Sequence, residues 1–186
     1  QLAGAGLIRI SNGRRAQVMS LDATVLTTAL SQGLATAQFT VSQALEVRNG
    51  VEASTAALAA THRSEADITR LQALCEQMAL AADHPEDFAE LDYRFHLAVA
   101  EASGNPLYAY IVSSLREVIK SSVAAGRLAQ PSTQDHARIL SDHHRIQQAI
   151  AAGSAQEATQ AMLAHFSAAN AALLRDTSSQ DTGQTP

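Results

Sequence analysis

The sequence is poor in residues that mark several protein classes. It contains no Trp, one Cys and four Pro, and aromatic residues make up 4% of its 186 positions. A single Cys cannot form an internal disulfide, which excludes a framework of internal disulfides. The scarcity of aromatic residues, with 46% apolar residues and much Ala, favours a helical protein over a β-sandwich or barrel.

Long apolar runs and targeting signals are also absent. No apolar run approaches the roughly 20 residues needed to cross a bilayer, and polar and basic residues interrupt positions 1–20, where a signal peptide would stand. Cys75 follows Leu71 and Leu74 and precedes Met78 at core spacing, so we expect a buried hydrophobic residue in a reducing cytoplasm. Because the sequence starts at Gln1, we expect it to be a piece of a longer protein.

The charges are divided unevenly along the chain. A net charge of −5 argues against phosphate binding over the whole surface, yet residues 1–20 carry Arg9, Arg14 and Arg15 and no acid. All 18 acidic side chains follow residue 20. Two short strand-like runs, 7–10 and 14–19, flank an Asn-Gly pair, which predicts a β-hairpin. A basic head with a hairpin thus precedes an acidic body, which indicates two tasks.

From residue 21 onward the sequence has only helical patterns. Capping residues, Pro at first helical positions and Gly at helix ends delimit them. We predict seven helices, at about 23–32, 40–62, 64–82, 86–102, 106–125, 131–152 and 155–175. Residues 176–186 are rich in Ser, Thr, Gln and Asp and have no apolar anchor, so we predict a disordered tail there.

Four titratable residues fall at helix positions that we expect to face the core. Asp92 and His96 are four residues apart and share one helix face, while His143 and His165 lie on two later helices. Burying three imidazoles and a carboxylate is costly unless they satisfy one another or bind a cation. One oxygen and three nitrogens suit Zn, Ni, Mn, Fe or Co better than Ca or Mg. The alternative is a hydrogen-bonded Asp92–His96 pair without metal.

The other histidines are better explained by solvent exposure. His62, His84 and His136 lie at helix ends or in loops. His144 faces about 100° away from its neighbour His143, so we expect it to be exposed or to lie just behind the metal ligands.

Motifs of common enzyme classes are missing. The sequence has no recognisable pair of nucleophile and base, no glycine-rich phosphate loop and no His-Glu-x-x-His motif. We therefore do not expect an enzyme. The alternative is an α-helical metalloenzyme that uses the same Asp/His site, with Glu101 or His144 as the general base.

The order of these residues resembles the C-terminal effector domain of FadR-type regulators in the GntR superfamily, the FCD domain. The likeness extends over about 22–175 and involves five elements. The matching residues are Glu46, Arg48, Val51, Glu52, Ala56, Leu58, Ala59, Ala60, Asp92, His96, Ala102, Ser103, Gly104, Asn105, His143, Ile146, Ala149, Ile150, Gly153, Ala161, Met162 and His165.

The first 20 residues also resemble part of that family. They match the end of the recognition helix and the wing of its winged helix-turn-helix domain through Leu2, Gly6, Leu7, Ile8, Arg9, Gly13, Arg14, Ala16 and Val18. The family usually has Gly at the wing position of Arg15, so the contact of this wing with the DNA groove is expected to differ.

The resemblance implies a fold and a function. We expect an all-α, antiparallel bundle of about seven helices preceded by a remnant β-hairpin wing. Residues 1–20 would be the remnant of the DNA-binding domain, 21–175 the effector-binding and dimerisation domain, and 176–186 the tail. A homodimer would bind a palindromic DNA operator, with the wing contacting DNA through Arg9, Arg14 and Arg15. A small organic acid would modulate operator binding.

The resemblance also assigns the ligands. Asp92, His96, His143 and His165 would hold a divalent metal, with Zn or Ni preferred over Mn, Fe and Co. Arg48 is our candidate for the anionic end of the effector, and a surface ion pair with Glu52 is its alternative. Asn105 is a second candidate, although a helix-capping role also explains it. A purely structural dimerisation bundle, in which Asp and His simply pair, is the third alternative.

Overall fold

The chain is helical over nearly all of its described length. A computed structural model describes residues 8–9, 15–18, 23–120 and 133–180. The helices are α1 (Thr24–Ala35), α2 (Val41–His62), α3 (Glu65–Leu80), α4 (Pro85–Ala102), α5 (Pro106–Ser114), α6 (Thr133–Ala152) and α7 (Ala155–Gln180), with further helical residues at 116–120. The predicted all-α fold is confirmed.

Helix α2 occupies the centre of the bundle. It packs against α4, α6 and α7, while α3 packs against α4 and α6. Ala56, Ala59 and Ala60 are fully buried on its inner side, and such small side chains allow neighbouring helices to approach closely. The large buried side chains around them include Leu71, Met78, Phe88, Phe95, Ile146, Ile150 and Met162.

Local sequence signals account for several helix starts. Helix α3 begins with the predicted capping box, in which Ser64 and Asp67 bond to each other's backbone N–H groups. Asn105 caps α5 ahead of Pro106, also as expected. Cys75 is fully buried in the core, which confirms the interpretation of its spacing. In the described part of the chain, no helix is both long and apolar enough to cross a membrane.

The end of α1 differs from the prediction. The sequence predicts a helix over about 23–32 that stops at Gly33, but α1 continues to Ala35 and Gly33 is buried inside it. A Cβ at position 33 would overlap the ring of Phe39. This glycine therefore serves close packing with the residue that leads into α2, and does not end the helix.

The predicted helix at 106–125 is interrupted. Helix α5 ends at Ser114, a turn follows at Leu115, and residues 116–120 are helical again. The hydroxyls of Ser113 and Ser114 donate to the carbonyls of Tyr110 and Ile111, at 2.9 and 2.6 Å. Such bonds compete with the helical backbone pattern and bend helices, which explains the break. Residues 121–125 lie outside the described part.

The two ends of the described chain are a short strand pair and the end of helix α7, and both can be compared with the predicted domain bounds. Ile8–Arg9 and Gln17–Val18 form an antiparallel strand pair, with Ile8 opposite Val18. The Asn-Gly turn lies outside the described residues, and the assignment of this pair to a wing stays a prediction. Helix α7 continues to Gln180 and so ends later than the predicted residue 175, because no Gly or Pro lies between Ser154 and Gly183 to stop propagation of the helix. The division into a domain and a tail stays a prediction. Residues 181–186 are not among those described.

Candidate metal centre

Three helices bring the four predicted ligands together. Asp92 and His96 project from one turn of α4, while His143 and His165 come from α6 and α7. One ligand atom from each residue lies within 4.8 Å of the other three, and all four side chains are buried. Core residues on the same helix faces, such as Phe95 on α4, keep water away from this cluster.

Asp92 lies between two of the imidazoles. Its Oδ1 is 3.0 Å from His143 Nε2, and its Oδ2 is 3.8 Å from His96 Nε2. The ring of His165 completes the cluster, with its centroid 4.6 Å from that of His143 and 5.3 Å from that of His96. The carboxylate is therefore the shared neighbour of imidazoles from different helices.

A hydrogen bond on the side of the ring away from the cluster fixes the orientation of His143. Its Nδ1 lies 2.8 Å from the carbonyl oxygen of Ile139, one turn earlier on α6. A carbonyl only accepts, so Nδ1 carries the proton and donates it. The Nε2 atom is left with a lone pair that faces the cluster.

Several buried polar atoms of the cluster are left without partners. Asp92 Oδ2, His96 Nε2 and His143 Nε2 have no hydrogen-bond partner within the described part of the chain. Leaving such atoms buried and unsatisfied costs about 1–3 kcal/mol each. A cation coordinated by these atoms and by His165 would remove that cost. The donor set of one carboxylate and three imidazoles also suits a transition metal, so the residues present fit a divalent metal.

The electrostatics keep Asp92 and His165 in the forms that bind a metal. Burial alone would raise the pKa of Asp92, but His96 and His143 outweigh it and hold this pKa below its usual range. Burial lowers the pKa of His165 well below its ordinary value, and the neighbouring His143 and His96 lower it further. A deprotonated carboxylate and a neutral imidazole are the forms that coordinate metals.

A fifth residue at the centre was missed by the sequence analysis. Glu52 on α2 is fully buried, with Oε2 2.5 Å from His96 Nδ1 and Oε1 2.7 Å from Arg48 Nε. Burial would raise the pKa of Glu52, but Arg48 and His96 lower it overall. The signal was present, because Arg48 and Glu52 continue the stripe of Leu45 and Ala56 at helical spacing.

Arg48 is in the interior and not at the surface. The expected ion pair with Glu52 is present, but it is buried, and the guanidinium carbon lies 4.5 Å from the ring centroid of Phe166. Its Nη2 atom is buried and makes no hydrogen bond to any described residue. This donor is available to an anion in the core.

Other candidate residues lie elsewhere. The structure does not bring Asn105 into the buried cluster, because its side chain is exposed and its Oδ1 accepts the Leu107 N–H at 3.1 Å. Glu101, a candidate general base, is exposed and paired with Arg70. His144 is half-buried.

The other residues that were expected at the surface are the histidines at helix ends and the arginines of the first 20 residues. His62 and His84 are exposed, as expected, although His62 Nδ1 also lies 2.9 Å from the Ser103 carbonyl. Arg15 is exposed and Arg9 lies on the first strand. Arg14 lies outside the described residues, and the side chain of His136 is likewise not described.

Residues 43–168 match the FCD domain. The chain is 32% identical over 168 residues to the HTH-type transcriptional regulator LutR of Bacillus subtilis (strain 168), covering 89% of this chain and 76% of that protein. It is 37% identical over 127 residues to the putative L-lactate dehydrogenase operon regulatory protein of Escherichia coli (strain K12), covering 66% of this chain and 47% of that protein. The chain thus spans about three quarters of the length of the first relative and about half of the length of the second.

Solved structures share the fold. Streptococcus agalactiae GntR superposes with a TM-score of 0.63 at 24% identity, covering 90% of this chain and 75% of that one. E. coli McbR/YncC superposes with a TM-score of 0.61 at 14% identity, covering 94% and 80%. At such low identity these two likenesses establish the fold alone.

Proposed function

Because the chain belongs to the FCD-domain family and is similar to named transcription regulators, we propose that its helical bundle is the sensor of a cytoplasmic DNA-binding regulator of the GntR superfamily. Its relatives are named as regulators and not as enzymes. The sensor binds a divalent metal and a small organic acid, and the acid modulates operator binding. The observation that carries the proposal is the convergence of unpartnered buried ligand atoms from α4 and α6 beside His165 of α7.

The proposed metal ligands are Asp92, His96, His143 and His165. The metal is Zn or Ni, with Mn, Fe and Co as alternatives, since imidazole nitrogens suit all five. When bound, the metal offers a Lewis-acid position that a carboxylate oxygen can occupy. The imidazoles themselves hold the cation, and the surrounding apolar core excludes water from it.

The charges of the site favour an effector with a single negative charge. The charges of Arg48, Glu52, Asp92 and a divalent cation together leave one positive charge in the core. Burying an uncompensated charge is costly, and one carboxylate would remove it. Arg48 Nη2, which has no hydrogen-bond partner among the described residues, is the proposed donor to that carboxylate. L-lactate is a suitable probe because one relative is named for the L-lactate dehydrogenase operon.

Operator binding belongs to the other part of the proposal. Residues 1–20 are taken as the remnant of a winged helix-turn-helix domain, with Arg9, Arg14 and Arg15 contacting DNA phosphates. Two chains form a homodimer that places two such domains on a palindromic operator. The effector changes DNA affinity because it binds one arrangement of the helices more tightly than another.

The proposal is tested by metal analysis and effector titration. The purified chain should retain close to one Zn or Ni after extensive dialysis, and the metal-loaded chain should bind L-lactate in calorimetry. His96→Ala should lose the metal, because it removes one of the two proposed ligands on α4. His84→Ala is the matched control, since His84 is exposed at the start of the same helix, and it should retain the metal. A correctly folded wild-type chain that holds no metal would leave the purely structural bundle as the better description.

A further inference from the structure

We infer that Glu52 is the positioning residue of this site, which orients His96 for the metal and Arg48 for the anion through its two carboxylate oxygens. The inference rests on the proposed function and deepens it. Glu52 comes from α2, whereas the proposed metal ligands come from α4, α6 and α7. It would therefore tie the central helix of the bundle to the metal without touching it.

The contact with His96 fixes which ring nitrogen carries the proton. Glu52 Oε2 and His96 Nδ1 are 2.5 Å apart and both side chains are fully buried. Neither atom makes a hydrogen bond of standard geometry to a described residue, so the short distance itself is the observation. Two lone pairs at this distance would repel, so Nδ1 carries a proton, and in the neutral imidazole that coordinates a metal Nε2 then keeps its lone pair. That lone pair belongs to the atom nearest Asp92.

His143 is held in the same way by a different group. Its Nδ1 donates to the Ile139 carbonyl at 2.8 Å, and its Nε2 lies 3.0 Å from Asp92. Two imidazoles of the cluster thus have an oxygen next to Nδ1, and both direct an Nε2 without a hydrogen-bond partner among the described residues towards Asp92. Metal-binding histidines commonly have such an acceptor behind them, and losing it typically weakens metal affinity by 10–100-fold.

The second oxygen of Glu52 holds Arg48. Its Oε1 accepts from Arg48 Nε at 2.7 Å, and the guanidinium also lies over the Phe166 ring. These two contacts fix the plane of the guanidinium and leave Nη2 as the donor without a partner in the described part of the molecule. One carboxylate therefore serves two donors, one on each side.

A glutamine at position 52 cannot serve both donors. Its side chain is nearly isosteric with Glu but offers one acceptor oxygen, and its other terminal atom is an NH₂ donor. Either His96 Nδ1–H or Arg48 Nε–H must then face a donor. Glu52→Gln thus removes the positioning function while nearly preserving the volume of the side chain.

The first experiment measures the zinc affinity of the full chain by competition with a chromophoric chelator. Glu52→Gln should weaken zinc binding by about 10–100-fold. Glu46→Gln is the control, because Glu46 lies on the same helix but is exposed, and its affinity should equal that of the wild type. A folded Glu52→Gln chain with wild-type zinc affinity would overturn the inference alone. A wild-type chain without zinc affinity would overturn the proposed metal site and, with it, this inference.

The second experiment needs no variant and remains decisive if Glu52→Gln fails to fold. Nitrogen-15 NMR of the zinc-loaded wild-type chain should show His96 protonated at Nδ1 and bound to the metal through Nε2. A His96 protonated at Nε2, or bound through Nδ1, would show that Glu52 does not position the ring.

Discussion

Zinc should stabilise this chain against heat because the proposed site exists only in the folded state. Its ligands come from three helices that are separated along the sequence by up to 73 positions, from Asp92 to His165. The unfolded chain cannot hold them together, so binding favours folding. The perturbation is removal of metal with a chelator, followed by reloading with zinc.

The size of the effect follows from linkage. At free zinc of 100 times its dissociation constant, the native state gains about 2.7 kcal/mol. For domains of this size each kcal/mol raises the unfolding temperature by about 2–4 °C, so we expect a rise of about 5–11 °C. The gain should shrink at acidic pH, because protons then compete with zinc for the ligands. For His165 this competition begins only well below the ordinary pKa of a histidine, because burial lowers its pKa.

The assay is thermal unfolding followed by circular dichroism at increasing zinc concentrations. His165→Ala removes one proposed ligand and should reduce the zinc-dependent rise, whereas His84→Ala should retain it. The reasoning would be refuted by a metal-free wild-type chain whose unfolding temperature does not respond to zinc. It would also be refuted if His165→Ala responded as strongly as the wild type.

Three further predictions concern charge, the core and the glycines. The zinc-loaded wild-type chain should bind L-lactate more tightly than hydroxymalonate, in which a second carboxylate replaces the methyl group. Glu52→Gln removes one negative charge from the site, so it should reduce the ratio of the two dissociation constants. Titration calorimetry measures both constants. Burial raises the pKa of the Cys75 thiol to about 12, so iodoacetamide at pH 8 should modify it only after unfolding, as mass spectrometry will show. Gly33→Ala should lower stability in denaturant by about 1–3 kcal/mol through overlap with Phe39, while Gly50→Ala, with open space among the described atoms, should raise it by about 0.5–1 kcal/mol.

Much of the fold follows from local patterns in the sequence. The capping box at Ser64 and the Asn105-Pro106 pair mark helix starts that the structure contains. These signals work because they act between residues three or four apart. The end of α1 was predicted wrongly because it depends on a contact with a residue beyond the helix. Gly33 looks like a helix end until the position of Phe39 is known.

The cluster of Asp92, His96, His143 and His165 was easier to predict than its surroundings. The spacing of Asp92 and His96 predicts that they share one face of a helix, and helical periodicity predicts the buried positions of His143 and His165. Glu52 enters the sequence-based prediction only as the partner of Arg48 in an alternative surface ion pair, because charged residues are usually solvated. Its contact with His96 joins positions 44 residues apart, and no local pattern encodes such a pair.

The distribution of charge among the helices bears on how an effector could be sensed. The permanent charges of the site lie on α2 and α4, as Arg48, Glu52 and Asp92, whereas α6 and α7 contribute His143 and His165. The ion pair of Arg48 and Glu52 forms within α2 and needs no ligand. A cation, by contrast, would bind imidazoles of α6 and α7 to the carboxylate of α4. In the proposed regulator the metal is therefore part of the packing between α4 and the last two helices. An effector that changes its coordination would act on that packing first, and differential binding to two such arrangements is what a ligand-driven switch requires.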